Sequence, residues 1–179
     1  MLASIEYWEN KAKEGQFAIP HFNVWNAEML MGVIDAAEEE NAPIIISFGT
    51  GFVGNTVFED FCWMMLAMAK EAEVPVITHW DHGRSMEIIQ NAYTHGMNSV
   101  MRDASALPFE ENIKEIKTAV DYFHPLGVPV EADVEASYHD TLGTFDAPSD
   151  SVNPLFHFAR SLMRLRREHP ALHQAAWGD

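Results

Sequence analysis

Two imidazoles and a carboxylate stand together near the middle of the chain, where residues 79–83 read His-Trp-Asp-His-Gly. The segment directly follows a short apolar run, which is typical of a buried strand. A neutral imidazole suits a divalent transition metal, and an adjacent acid could move protons at an atom that the metal holds. Asp81 and His82 are therefore candidate functional residues, whereas His79 fits a structural role equally well.

Other apolar runs also end in polar groups. Asn23, Thr50 between two glycines, Asp103, and the pair Glu131 and Asp133 each come at the end of a strand-like segment. Such residues commonly punctuate turns or cap helices, so each one alone is typical of a structural role. In parallel α/β folds, however, the carboxyl ends of the strands meet around one crevice, where reacting groups gather. Together these strand ends favour a site.

The elements that would position these residues alternate along the chain. The β-type runs cover residues 17–24, 43–48, 74–79, 98–101 and 128–133, and apolar residues at helical spacing cover 27–40, 57–72, 84–95 and 109–124. This order predicts five parallel strands joined by crossover helices. The periodicity fits both a doubly wound sheet and part of a (β/α)8 barrel.

Length, composition and charge narrow the class of function. The chain has 179 residues, 47% of them hydrophobic and 21% charged, which is typical of a globular domain but short for a complete barrel of about 250 residues. A net charge of −16 argues against a nucleic-acid partner. We expect no membrane span and no secretory signal, and the single cysteine fits a reducing cytoplasm.

The positions of the lysines bear on how a carbonyl could be activated. All of them precede the first predicted strand or fall in predicted helices, at Lys11, Lys13, Lys70, Lys114 and Lys117. A Schiff-base aldolase needs a desolvated lysine inside its barrel. The sequence supplies none on a strand, so carbonyl activation would have to come from a metal.

The alternation of strands and helices stops after about residue 136. Residues 137–152 are rich in turn formers and predict a linker, and residues 153–179 predict a helical tail that contains Arg160, Arg164, Arg166 and Arg167. The predicted organisation is therefore an α/β unit over residues 1–136, a linker over 137–152 and a tail over 153–179.

Six segments of the α/β unit resemble the class II fructose-1,6-bisphosphate and tagatose-1,6-bisphosphate aldolases. In order and spacing they read FAIPHFNVWN (17–26), AAEEENAP (36–43), PVITHWDHG (75–83), GMNSVMRDAS (96–105), LPFEENI (107–113) and VPVEAD (128–133). The resemblance covers residues 5–135 and favours the barrel over the open sheet. It implies a partial TIM (β/α)8 barrel of about five βα units, followed by a C-terminal helical tail.

The resemblance also implies an activity and a set of site residues. The family cleaves a ketose 1,6-bisphosphate reversibly to dihydroxyacetone phosphate and an aldehyde, with Zn²⁺ as cofactor. Asp81 matches the acid that handles the C4 hydroxyl, His82 a zinc-binding histidine, and Asn23 a residue that lines the substrate pocket. Asp103 and Asp133 match carboxylates that can hold the metal in an alternative position. A phosphorylated ketose substrate and a homo-oligomer are expected on the same basis.

The chain also departs from the family pattern. Where the family usually has Glu-x-Glu-x-Gly-x-x-Gly-Gly, residues 131–139 read Glu-Ala-Asp-Val-Glu-Ala-Ser-Tyr-His, and Arg102 replaces a usually apolar residue. The later strands, which carry two further zinc histidines and the phosphate-gripping glycine loop, have no counterpart. A truncated or chimeric chain of aldolase lineage without activity is therefore the alternative interpretation.

The tail resembles a different family. Residues 153–172 are similar to the late barrel helix of α-glucosidase-type glycoside hydrolases, although they contain none of that family's catalytic carboxylates. An ordinary amphipathic, arginine-rich helix is the alternative interpretation of the same residues.

Overall fold

One five-stranded sheet organises the part of the chain that the structure describes, and all of its strands are parallel. The computed structural model describes residues 1–54 and 56–133. Within them the elements are α1 (Ile5–Gly15), β1 (His21–Asn23), α2 (Ala27–Glu39), β2 (Ile44–Gly49), α3 (Phe58–Glu71), β3 (Val76–Gly83), α4 (Met86–Thr94), β4 (Ser99–Asp103), α5 (Phe109–Phe123) and β5 (Val130–Asp133), with short 3-10 turns at Thr50–Phe52 and His124–Leu126. The predicted linker and tail lie outside the described residues.

The strand order decides between the two folds that periodicity left open. The order is β1-β2-β3-β4-β5, so strands that are consecutive in the chain are also neighbours in the sheet. A doubly wound sheet reverses its strand order at a switch point, and within the described residues this sheet has no reversal. The expected partial barrel of five βα units is confirmed. Among the described residues, no helix combines the length and apolar character needed to cross a membrane.

Three elements differ most from those that the sequence predicts. Helix α1 was not predicted, because its apolar residues are few; Ile5, Trp8 and Ala12 pack against the sheet while the rest is mostly polar. Strand β1 is only three residues long, far shorter than the predicted run over 17–24. Strand β3 continues to Gly83, so the candidate motif lies inside the strand and does not follow it.

The two faces of the sheet bury different kinds of side chain, since successive residues of a strand point to opposite faces. The face under α2–α5 is mostly apolar, and its core includes Leu30, Ile46, Phe61, Met65, Trp80, Ile89, Val100 and Phe123. On the other face, α1 covers Ile45 and Ile77 near the N-terminal ends of β2 and β3. Further along the same face the buried residues are Ser47, His79, Ser99 and Met101, three of which are polar. The polar half of this face leads directly to the candidate site.

A β-bulge interrupts the pairing of β3 with β4 at the candidate motif. Trp80 pairs with Val100, but the next pair is Gly83 with Arg102, so β3 contains one residue more than β4 over this interval. His82 lies within the bulge and has a left-handed backbone with φ 52°. The extra residue lets Asp81 and His82 both reach the rim of the site, although they are adjacent in the chain.

Gly83 ends the bulge in a place without room for a side chain. A Cβ there would lie 2.1 Å from Cγ2 of Ile89 and 2.6 Å from the carbonyl oxygen of Met101. We therefore expect Gly83→Ala to lower the free energy of unfolding by about 1–3 kcal/mol, because α4 or β4 must move. Denaturant unfolding followed by circular dichroism measures the change.

Gly32→Ala is the matched control for this substitution. Gly32 lies on α2, and a Cβ there meets nothing within 4 Å. The substitution should raise stability by roughly 0.5–1 kcal/mol through the helical preference of alanine. Equal stabilities of the two variants would contradict the close packing at the bulge.

Candidate active site

Asn23 and Asp81 meet across the end of the sheet, although 58 positions separate them in the chain. The Asn23 amide donates from Nδ2 to Asp81 Oδ2 at 2.9 Å. Strand β2 lies between β1 and β3, and its register pairs Asn23 with Ser47 and Asp81 with Gly49. The Asp81 side chain is 17% exposed, so one oxygen is held by the amide while the carboxylate still reaches solvent.

A chain of hydrogen bonds beneath the site fixes the orientation of Asn23. Because Asn23 Nδ2 donates to the carboxylate of Asp81, its Oδ1 must face the other way, and there it accepts from Ser47 Oγ at 3.0 Å. Ser47 has one proton to donate, so it accepts from His21 Nε2 at 2.7 Å. Burial lowers the pKa of His21, against the attraction of Asp81, and this keeps its imidazole neutral. Neutral His21 therefore supports Asn23, which in turn orients Asp81.

His82 lies between two carboxylates on the rim. Its Nδ1 is 3.1 Å from Asp103 Oδ2, and its Nε2 is 3.9 Å from Asp81 Oδ1. The side chain is 51% exposed, so the ring faces the solvent side of the site. Its backbone is held on both sides, because Thr50 Oγ1 donates to the His82 carbonyl at 2.6 Å and the His82 amide donates to Met101 Sδ at 3.4 Å.

Asp103 at the end of β4 is held as a carboxylate. Its side chain is 11% exposed, and Oδ1 accepts from both the amide (3.1 Å) and the hydroxyl (2.7 Å) of Ser105. Burial acts to raise the pKa of Asp103, but the hydrogen bonds from Ser105 and the contact with His82 outweigh it, so the pKa is lowered. Asp103 is therefore ionised near neutral pH and draws the Nδ1 proton of His82 towards itself.

His79, for which the sequence allowed either role, is buried beneath the rim. Its Nδ1 lies 2.8 Å from Ser99 Oγ, and its Nε2 lies 3.4 Å from a carboxylate oxygen of Glu131. Burial, followed by the nearby His21 and His82, lowers the pKa of His79 to about 3. The ring therefore stays neutral, and it packs edge-on against His21 with 5.2 Å between ring centroids. These contacts give His79 a structural place below the site.

The structure brings four of the five predicted site residues to one rim: Asn23, Asp81, His82 and Asp103. The fifth, Asp133, pairs in register with Asp103, which places its backbone beside the site. Sequence reasoning missed Ser47 and His21, which support Asn23 from below. The alternation of side chains along β1 and β2 could have indicated their place on the site face, but only with the register of the two strands known.

The number of metal-ligating side chains at the rim bears on whether the site could hold the expected zinc. A catalytic zinc normally takes three protein ligands and keeps one position open. Among the described residues, no three side chains of His, Cys, Asp or Glu converge on a common point. His82 and Asp103 are suitable donors, but two ligands do not make a complete zinc site.

Comparison with known proteins agrees with the fold. The family model for class II fructose-bisphosphate aldolase matches residues 4–143. The chain belongs to the class II fructose-bisphosphate aldolase family. The YdjI protein of Escherichia coli K12 is 69% identical over 150 residues, which are 81% of this chain and 54% of that protein.

Solved structures of aldolases also resemble the chain. The crystal structure of the YdjI aldolase from Escherichia coli K12 superposes with a TM-score of 0.71 at 75% identity, covering 73% of this chain and 49% of that one. A putative fructose-1,6-bisphosphate aldolase from Coccidioides immitis superposes with a TM-score of 0.63 at 28% identity, covering 68% and 47%. This member of the aldolase family thus spans about half the length of the relatives that it matches.

The hydrogen bonds from Ser105 should lower the pKa of Asp103, and this effect can be measured. Replacing Ser105 with alanine removes the hydroxyl donor, so the pKa of Asp103 should rise towards its ordinary value. In the unmodified chain the lowered pKa stabilises the folded state above the unfolded pKa, and this contribution is lost as pH falls through the folded pKa. Ser105→Ala should shrink that contribution. Carbon-13 NMR titration of the Asp103 carboxyl measures the shift, with Thr118→Ala on α5 as a hydroxyl-deletion control. An unchanged pKa in Ser105→Ala would contradict this account.

Proposed function

We propose that this chain carries the proton-transfer half of a class II aldolase active site. The reaction would be reversible cleavage of a ketose 1,6-bisphosphate to dihydroxyacetone phosphate and an aldehyde. The observation that supports this most strongly is the Asn23–Asp81 hydrogen bond beside the His82–Asp103 pair. Both lie at the rim of the sheet in a chain that belongs to this family. The chain spans about half the length of its relatives, so aldolase activity of this chain is itself part of the proposal.

Asp81 is the residue that we propose moves a proton at one substrate oxygen. Its Oδ2 is held by Asn23, which leaves Oδ1 directed towards the ring of His82. In the cleavage direction we propose that Asp81 takes the proton of the C4 hydroxyl as the C3–C4 bond breaks. In the condensation direction it returns the proton to the aldehyde oxygen. Asn23 contributes by holding the acid in one orientation.

The positions of the lysines support an aldol reaction that does not use a Schiff base. All five lie on helices: Lys11 and Lys13 on α1, Lys70 on α3, and Lys114 and Lys117 on α5. None therefore projects from a strand into the inner face of the sheet, as a Schiff-base lysine must. This arrangement supports the class II assignment of the chemistry.

We also propose a phosphorylated ketose as substrate, zinc as cofactor and a homo-oligomeric state, all of which membership of the family supports. A cytoplasmic location is supported by the single cysteine, Cys62, which is buried within α3. Burial, with a smaller contribution from Glu59, raises the pKa of the Cys62 thiol to about 12, so the thiol is unreactive. The net charge of −16 disfavours a nucleic-acid partner.

An aldolase-derived chain without activity is a second candidate, and one observation favours it. Among the described residues, no three side chains of His, Cys, Asp or Glu are arranged to hold a metal ion, whereas a catalytic zinc normally takes three protein ligands. In this interpretation the chain would keep the fold and the proton-transfer residues but would not turn over alone.

Substitution of Asp81 tests the first candidate. Asp81→Asn keeps the shape of the side chain but removes its ability to accept a proton, so turnover should fall by about 10²–10⁴-fold. Asp35→Asn, on the exposed side of α2, should leave turnover unchanged. A coupled assay for dihydroxyacetone phosphate release measures both. Equal rates in Asp81→Asn and the unmodified chain would refute the role of Asp81, and no release by either would favour the inactive chain.

Zinc binding tests the completeness of the ligand set without requiring turnover. We expect the 179-residue chain to hold Zn²⁺ weakly and at less than one ion per chain, because the described donors are too few. Titration against a chromophoric chelator measures the affinity. His82→Ala should weaken binding further, whereas His124→Ala, in the turn after α5, should not. Tight one-to-one binding would show that the ligand set is complete.

A further inference from the structure

Arg102 is a charged residue buried behind the active site, and the proposed chemistry does not use it. It lies on β4 and is 5% exposed. Its neighbour Met101 faces the site, where its sulfur accepts from the His82 amide, so Arg102 points to the opposite face, against α5. A buried guanidinium is always protonated, and its burial is unfavourable unless acceptors and an opposite charge surround it.

The guanidinium of Arg102 joins three elements of the fold. Nη1 donates to the carbonyl oxygens of Gly83 (3.2 Å) and of Asp103 (2.6 Å), which lie at the ends of β3 and β4. Nη2 donates to Glu115 Oε2 on α5 at 2.9 Å, and this ion pair neutralises the buried charge. The side chain therefore ties the two strand ends to each other and to the helix behind them.

The two carbonyls that accept from Arg102 lie next to the His82–Asp103 pair. Gly83 follows His82 directly, and the carboxylate of Asp103 contacts the His82 ring. Just past the bulge, Gly83 pairs with Arg102 in the β3–β4 ladder, and its carbonyl also accepts from Arg102 Nη1.

The backbone of His82 needs such support from its surroundings. A non-glycine residue with positive φ is strained, and the conformation persists only where neighbouring contacts impose it. Thr50 holds the His82 carbonyl and Met101 holds its amide, both from the side of the site. The contact from Arg102 to Gly83 closes the bulge from the helix side.

We propose that Arg102, paired with Glu115, is a positioning residue that fixes the His82–Asp103 spacing by joining the carbonyls of Gly83 and Asp103 behind the active site. Its effect on turnover rests on the proposed function, whereas its effect on the geometry of the bulge does not. The fork of an arginine can bind several acceptors in one plane, while a lysine ammonium is a single point. Arg102→Lys should therefore restore only part of the effect.

The first test measures the bulge itself in the full 179-residue chain. Arg102→Met removes the fork while keeping an unbranched side chain. We expect amide hydrogen exchange of the peptide spanning residues 81–84 to become at least about tenfold faster, with exchange in α2 unchanged. Lys117→Met, which removes an exposed ion pair from the same helix as Glu115, is the control and should leave residues 81–84 unaffected. Unchanged exchange of residues 81–84 in Arg102→Met would overturn the proposal.

A second readout separates positioning from general stabilisation. Long-range ¹H–¹⁵N spectra report which ring nitrogen of His82 carries the proton. In the unmodified chain Nδ1 faces the Asp103 carboxylate, so we expect the proton on Nδ1. Arg102→Met should produce a mixture of tautomers, and Arg102→Lys should restore the Nδ1 form in part. A variant that loses stability but keeps the original ring spectrum would show a merely structural arginine and so contradict positioning.

If Arg102→Met does not fold, the same exchange and ring measurements can be made on Arg102→Lys and Glu115→Gln, with smaller expected effects in the same direction.

Turnover gives a third measurement. If the unmodified chain turns over ketose bisphosphate, Arg102→Met should lower kcat by up to about a hundredfold while KM changes little, because the substrate contacts remain. A change confined to KM would overturn the positioning role. Absence of turnover in the unmodified chain would count against the proposed function alone, since exchange and ring spectra need no substrate.

Discussion

The arrangement of the rim depends on the single extra residue that β3 carries relative to β4. In a regular strand, Asp81 and His82 would point to opposite faces, so only one of them could reach the site. The bulge and the left-handed backbone of His82 bring both to the same rim, and Gly83 then returns the chain to the ladder where α4 leaves no space for a side chain. The strain of this conformation is offset by contacts from Thr50 in the turn after β2 and from Met101 and Arg102 on β4.

The polar layer below the rim gives the site its rigidity. His21, Ser47 and Asn23 form a directed chain of hydrogen bonds that ends on Asp81, while His79 and Ser99 pair beside it. Burial keeps both histidines neutral, so they orient their neighbours without adding charge to the site. Helix α1 covers the apolar residues at the other end of the same face, which separates this layer from solvent below.

Much of the fold could be predicted from the sequence, because long periodic segments carry their own signal. The helices α2 to α5 lie within two residues of their predicted ends, and the continuous apolar run of residues 43–48 corresponds to β2. Helix α1 was missed because it buries only a narrow stripe, with Ile5 its one buried residue. The choice between an open sheet and a barrel could not come from periodicity, since strand order is a property of long-range pairing.

Which residues cluster at the rim could be predicted from the sequence, but their geometry could not. Asn23, Asp81, His82 and Asp103 could be chosen from their places at strand ends, yet nothing in the sequence shows a bulge, since the register of β3 against β4 depends on two distant segments. The same reason hid Ser47 and His21, which act through contacts across strands. Arg102 was visible only as a departure from an apolar pattern, and its three partners lie up to 19 positions away in the chain.

The central claim is that Asp81 and His82 share one substrate-facing rim with Asn23 and Asp103. A crystal structure of the Asp81→Asn variant of the 179-residue chain, soaked with a ketose 1,6-bisphosphate, tests this most directly. The account predicts that the C4 hydroxyl of the sugar lies within hydrogen-bond distance of the side chain at position 81, with the His82–Asp103 pair intact beside it. Sugar bound elsewhere on the molecule, or side chains at 81 and 82 directed to opposite faces of the sheet, would contradict it.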